Sequence, residues 1–179
     1  GVIKQVEITA LFVTHDQTDA RLLADRLGIM CDGRLVQAGS VRQIFDSPEN
    51  EQVAAFVGME NLFEGRVVSQ EGGIVTVAVG DTTVEAVADN EKDETVALGV
   101  RPENVTLMLE PAVSSARNTF RGTIKQILYL GPVNKVLIDC GFMLAAYVTN
   151  RSTETLGLNK GTEVTAIFKA TGVNVMRKR

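Results

Sequence analysis

Apolar and polar positions follow two regimes along the chain, and the change falls near residue 60. In the first, "ALFVT" (10–14) is an unbroken apolar run of strand length, the pattern of a strand covered on both faces. Behind it, Ala20, Leu23, Ala24 and Leu27 take the spacing of one helix face, and Thr14 with Gln17 can close a capping box. "GIMC" followed by "DGRLVQAG" predicts a hairpin, because Asp-Gly accepts the positive φ angles of a tight turn. "SVRQIFDSP" predicts a short helix capped by Ser40 with Pro48 past its end, and "ENEQVAAFVG" predicts another that stops at Gly58.

After "GMENLF" the period falls from 3.6 to 2. "GRVVSQEGGIVTVAVGDTTVEAVA", "FRGTIKQILYLGPVNKVLIDCGFMLAAYVT" and "GTEVTAIFKATGVNVM" alternate apolar and polar residues between glycine turns, which predicts short antiparallel strands closing small barrels. Two such units are expected, roughly 61–110 and 114–179, joined at "EPAVSSARN". They are only loosely alike in sequence and read as two similar folds rather than a clear repeat. The expected fold class is therefore mixed, an α/β piece over 1–58 and all-β barrels over 59–179.

Composition narrows the setting. The chain has 179 residues, 45% hydrophobic and 22% charged, with a formal charge of −4, so nothing directs it to nucleic acid or an acidic membrane surface. The basic "MRKR" end is too short to change that. Cys31 and Cys140 lie in strand-like runs without CxxC spacing and read as buried free thiols of a reducing compartment. No run approaches the roughly 20 apolar residues of a membrane span and no signal-peptide pattern is present, so a cytoplasmic place is expected. "DNEKDE" (89–94) lacks the spacing of a calcium loop and reads as a solvated loop, with no metal site expected.

His15, the chain's one histidine, follows the 10–14 run directly. By position alone it is a polar residue opening a helix, although ligands of open α/β sheets also bind beyond the carboxyl ends of strands. "TALFVTHDQTDARLLADRLGIMCDGRLVQAGSVRQIFDSPENEQVAAFVG" closely resembles the C-terminal end of the nucleotide-binding domain of importer-type ABC ATPase subunits, over roughly residues 8 to 58. The resemblance implies that His15 is the switch histidine that approaches the γ-phosphate of ATP, a role suited to phosphoryl transfer, where positioning and charge stabilisation dominate. Asp16 is assigned only to the loop and helix start. No G-x-x-x-x-G-K-[ST] loop and no "LSGGQ" signature occur, and "VLIDCG" (136–141) has no glutamate after its aspartate and reads as a barrel strand and turn. The chain then corresponds to the end of a longer ATPase, with ATP held only in the full-length parent and no ATP hydrolysis expected of this chain alone.

The second half carries a more specific likeness. "SSARNTFRGTI", "GPVNKVLIDCG" and "LAAYVTNRSTETLGLNKGTEVTAIFKATGVNV" resemble the Mop-type molybdate-binding domain, whereas "GVRPENV" (99–105) resembles the TOBE regulatory domains of importer ATPases generally. The first unit lacks "SARN", so no second oxyanion site is expected there. Molybdate and tungstate are tetrahedral dianions, costly to desolvate unless donors meet their oxygens. By matched position the oxyanion-binding residues would be Ser115, Ala116, Arg117 and Asn118 from the "SARN" turn and Lys169, Ala170 and Thr171 from the "KAT" strand end, with Ser152 a weaker candidate. Arg117 can equally pair with a surface carboxylate, and Asn118 can equally cap a turn. Sites of this family lie between subunits, which implies a homodimer.

Together the likenesses imply the ATP-binding subunit of a molybdate or tungstate importer, docked through permease subunits on the inner face of the cell membrane, with a regulatory domain that senses the oxyanion. Two alternatives stay open: an importer ATPase for sulfate, ferric iron, polyamine or sugar without oxyanion sensing, and a soluble oxyanion-binding module.

Overall fold

A computed structural model describes residues 9–178. Residues 1–8, the start of the expected ATPase piece, and Arg179, the last of the basic end, lie outside the described residues.

The first local expectations divide sharply. Residues 10–14 form no strand, and Leu11 and Val13 are 95% and 97% exposed. A strand apolar on both faces needs partners on both sides, and among the described residues none flanks this run. Helix α1 (Gln17–Leu23) is capped by Asp16, not by Thr14: the Asp16 carboxylate accepts from the Thr18 and Asp19 amides at 2.6 and 3.2 Å. Those backbone bonds, Asp19 foremost, hold its pKa below the ordinary value. Of the expected apolar face only Ala20 is buried; Leu23 is exposed, Ala24 ends the helix and Leu27 belongs to the next strand.

The hairpin forms as read, β1 (Arg26–Cys31) and β2 (Arg34–Ser40), with Asp32 and Gly33 at φ 49° and 73°, the two positive angles a type I′ turn requires. Ser40 and Gln43 close a capping box on α2 (Val41–Asp46). Asn50 caps α3 (Glu51–Phe56), which ends in a Schellman turn: Gly58, at φ 85°, donates to the Ala55 carbonyl and Met59 to that of Ala54.

The remainder is two five-stranded antiparallel sheets. The first half of this region supplies β3 (Asn61–Glu71), β4 (Ile74–Val79), β5 (Thr82–Val87), β6 (Thr95–Val100), a 3-10 turn η1 (Pro102–Asn104) and β7 (Thr106–Met108). The second half supplies β8 (Asn118–Tyr129), β9 (Val133–Asp139), β10 (Met143–Thr149), helix α4 (Asn150–Thr155), β11 (Glu163–Phe168), a 3-10 turn η2 (Ala170–Gly172) and β12 (Val173–Arg177). The sheet orders are β12-β6-β3-β4-β5 and β10-β9-β8-β11-β7. Each half therefore keeps four of its strands and gives its last to the other: β7 pairs with β11, and β12 pairs with β6. The units expected at 61–110 and 114–179 are each completed by the other's final strand.

The halves are built alike. β3 and β8 both begin Asn-x-Phe-x-Gly, and both bulge a few residues on, at Val67/Ser69 and Ile124/Gln126. The glycines are forced by crowding: a Cβ on Gly65 would stand 2.4 Å from the Ala78 carbonyl oxygen, and one on Gly122 would stand 2.6 Å from that of Asp139. Asn61 and Asn118 each bridge sheets with both ends of a buried amide. Asn61 donates to the Ala145 carbonyl at 3.0 Å and accepts from its amide at 2.6 Å; Asn118 does the same to Glu85 at 2.9 and 2.8 Å. One apolar core runs through both sheets, including Val67, Leu98, Ile124, Ile138 and Phe168. A second one seats the hairpin and helices on the outer face of the first sheet, through Ile29, Ile44, Phe45, Val53 and Val57 against Met59, Ala97 and Met176.

Candidate functional site

The strand exchange places the end of β11 beside the start of β7, with Ile167 opposite Thr106. An open pocket of about 430 Å³ lies there. η1 and β7 contribute Asn104 and Thr106; the linker contributes Ser114, Ser115 and Ala116; β11 and η2 contribute Phe168, Lys169, Thr171 and Gly172. Its rim is polar because strand ends and turns supply it: Lys169 immediately precedes η2, and the linker is folded back by an Ala116 amide that donates to the Ser114 hydroxyl at 3.2 Å. Lys169 is exposed, and among the described residues it has no carboxylate partner. An ammonium that shares a pocket lining with hydroxyls and a side-chain amide is a set of donors suited to a small anion.

Ser115, Ala116, Lys169 and Thr171 were expected at such a site, and all four line this one. Ala170 is buried beneath η2. Arg117 and Asn118, next along the same turn, are turned to Glu85: the Arg117 guanidinium pairs with its carboxylate through Nε and, at 3.3 Å, through Nη2, while Asn118 holds its backbone. The Glu85 hydrogen bond raises the Arg117 pKa further above its ordinary value. Ser152 lies on α4, where its hydroxyl meets that of Thr149 at 2.8 Å, outside this pocket. His15 is a solvent-exposed side chain ahead of α1, and no phosphate-binding loop accompanies it.

Asn104, Thr106 and Ser114 were not foreseen. Ser114 adjoins the "SARN" turn, but Asn104 and Thr106 reach the pocket only because β7 crosses to the second sheet, and no local pattern announces that crossing.

At the matching place of the first unit the cation is engaged by the protein itself. β6 with η1 corresponds to β11 with η2, so Arg101 stands where the second unit has Lys169. Its guanidinium donates to the carbonyls of Val57 and Phe45 at 2.5 and 2.7 Å, its side chain is only 16% exposed, and Glu103 stands 3.9 Å away.

Residues 114–175 match the TOBE domain family. The molybdate/tungstate import ATP-binding protein WtpC of Pyrococcus horikoshii is 40% identical over 173 residues, 96% of this chain and 48% of that protein. Its counterpart in Pyrococcus abyssi is 38% identical over 177 residues, again 96% and 48%. The spermidine/putrescine import ATP-binding protein PotA of Trichormus variabilis is 35% identical over 133 residues, 72% of this chain and 35% of that protein. The chain thus spans about half the length of the curated relatives it matches. Among solved structures, the cytoplasmic molybdate-binding protein ModG, with molybdate bound, superposes with a TM-score of 0.62 at 25% identity, covering 66% of this chain and 96% of that one. The all-β, OB-like part of the fold is shared with it. The chain is thus similar to TOBE domains over residues 114–175 and, over 96% of its own length, to the molybdate/tungstate import ATP-binding proteins of two Pyrococcus species.

Proposed function

We propose that this chain is the C-terminal part of the ATP-binding subunit of a molybdate or tungstate importer and that the pocket between β7, the linker and η2 holds the oxyanion. One observation carries the reading: Lys169, unpaired by any carboxylate among the described residues, lines one pocket with Ser115, Thr171 and Asn104 in a chain whose structural neighbour binds molybdate. A dianion leaving water needs charge and hydrogen bonds together, and a lysine that shares a pocket lining with hydroxyls supplies both.

The N-terminal piece, residues 1–58, is then the end of a P-loop ATPase domain, with His15 the residue that would approach ATP. ATP would be held by the full-length parent. The parent would work as a homodimer on permease subunits at the cytoplasmic face of the membrane. Oxyanion bound here would favour one arrangement of the ATPase dimer and damp import, which requires that it bind that arrangement better than the other.

Calorimetric titration of the chain with molybdate and tungstate, with sulfate and phosphate as competitors, tests the reading. Binding that sulfate does not match, weakened at least about tenfold by Lys169→Ala, is the expected result, since a charge-assisted contact in such a site is worth roughly 1.5–3 kcal/mol. No heat from either oxyanion would sink the pocket assignment and favour the reading that the spermidine/putrescine relative brings, an importer ATPase without oxyanion sensing.

A further inference from the structure

We infer that the segment Arg101–Thr106 is a mechanical link between the oxyanion pocket and the helical segment 41–57; the inference rests on the pocket assignment above.

The two ends of this short segment do different work. At its start, Arg101 closes two chain ends at once. The last carbonyls of a helix have no partner within it, and Arg101 satisfies one from α2 (Phe45) and one from the cap of α3 (Val57). Only a guanidinium presents donors as a rigid fork, so one side chain can hold two carbonyls in a fixed relation. Gly58, which turns the chain at φ 85°, lies beside this fork, the place of its Cβ being 3.7 Å from the Arg101 Nη1. At the other end, Asn104 and Thr106 line the pocket, and the Asn104 Nδ2 lies 3.3 Å from the position a Cβ on Gly172 would take, so the two 3-10 turns touch.

Between these ends there is little slack. The Asn104 amide donates to the Arg101 carbonyl at 3.0 Å and that of Val105 donates to Pro102 at 3.2 Å, Pro102 fixes its own φ, and Val105 is buried in the main core. An anion that draws Asn104 and Thr106 toward Lys169 therefore holds the segment whose first residue grips α2 and α3. The pseudo-symmetric counterpart is used differently in the two units: Lys169 is free for a ligand, and Arg101 is spent on the helices. Arg101 is thus a positioning residue, and Asn104 the pocket-side end of the link.

Hydrogen exchange of the full chain, with sodium molybdate at saturation set by calorimetry and with sodium sulfate as control, tests this. The expected result is about five- to tenfold slower exchange at the α2 and α3 amides with molybdate and no change with sulfate, the size of an ordinary coupling between sites. In Arg101→Gln these amides exchange faster without ligand and gain no protection from molybdate, while molybdate affinity stays within about threefold. Asn104→Ala, at an exposed position that spares the fold, weakens molybdate about three- to tenfold and removes the added protection even at saturation. Molybdate heat with unchanged exchange over 41–57, or full protection retained in Arg101→Gln, would overturn the link and leave the pocket standing. Absence of heat overturns the pocket, and the link with it.

Discussion

Residues 117 and 118 are neighbours with opposite fates. Asn118 is 2% exposed and bonds both backbone groups of Glu85, whereas Arg117 meets only the carboxylate of the same residue from the solvent side. Asn118→Ala should cost about 3 kcal/mol, because it strands a partly buried N–H and C=O together. Arg117→Ala should leave the urea midpoint nearly unchanged, since an exposed ion pair is screened and mobile. If Arg117→Ala nonetheless weakens molybdate binding, the guanidinium exchanges Glu85 for the ligand; if affinity is unmoved, its role is the ion pair alone. A second polar cluster has a pH signature. Burial pushes the Glu60 carboxyl up, but hydrogen bonds from Lys135 and Tyr147 outweigh it and leave the pKa below the ordinary 4.5, while Glu60 pushes the Tyr147 hydroxyl from 10 to about 12. A lowered acid pKa contributes stability that is present above 4.5 and lost as pH falls through the folded value. A raised tyrosine pKa contributes stability that is present below 10 and lost as pH rises toward 12. Tyr147→Phe should therefore cost about 1 kcal/mol over roughly pH 5 to 9, with the difference from wild type narrowing at both extremes of a pH series of urea melts.

At the scale of elements, what the sequence made legible was whatever is decided within a few residues. The Asp32-Gly33 turn, the Ser40 cap and the Gly58 stop each rest on a local backbone need, and each formed as read. The 10–14 strand did not, because its apolar run specifies burial without saying by what. Thr14 lost the cap to Asp16 for a related reason: both side chains can accept amides, and the register of the first turn chooses between them. The site divides the same way. Of the pocket lining, Lys169, Thr171 and Ser115 were named through the likeness of the second half, while Asn104 and Thr106 come from η1 and a strand that leaves its own unit. Two substitutions test the local elements. Gly33→Val should destabilise the hairpin, since a β-branched residue at φ 73° is strained. Ser40→Ala should cost about 1 kcal/mol by removing a cap whose hydroxyl accepts from the Gln43 amide. Both are read by thermal melts, and an unchanged melt for Ser40→Ala would mean that the packing of Ile44 and Phe45, not the cap, holds α2.

For the whole molecule the exchanged strands decide cooperativity. A half made of residues 59–110 has β6 (Thr95–Val100) with one side unpaired, because its neighbour β12 (Val173–Arg177) lies in the other half. A half made of residues 114–178 leaves β11 in the same state without β7. Neither half owns a closed core either, since Val105 and Leu107 from the first and Val173 from the second sit in the single cluster that runs through both sheets. The helical segment adds to the dependence by resting on Ala97 of one half and Met176 of the other. The intact chain should accordingly unfold in urea in one transition reported alike by backbone and side-chain probes. Each half alone should show no cooperative melt, and mixing the two should restore one, because the missing strand can be supplied from outside as readily as from the same chain. Halves that melt cooperatively apart and ignore each other when mixed would show that the strand exchange is incidental.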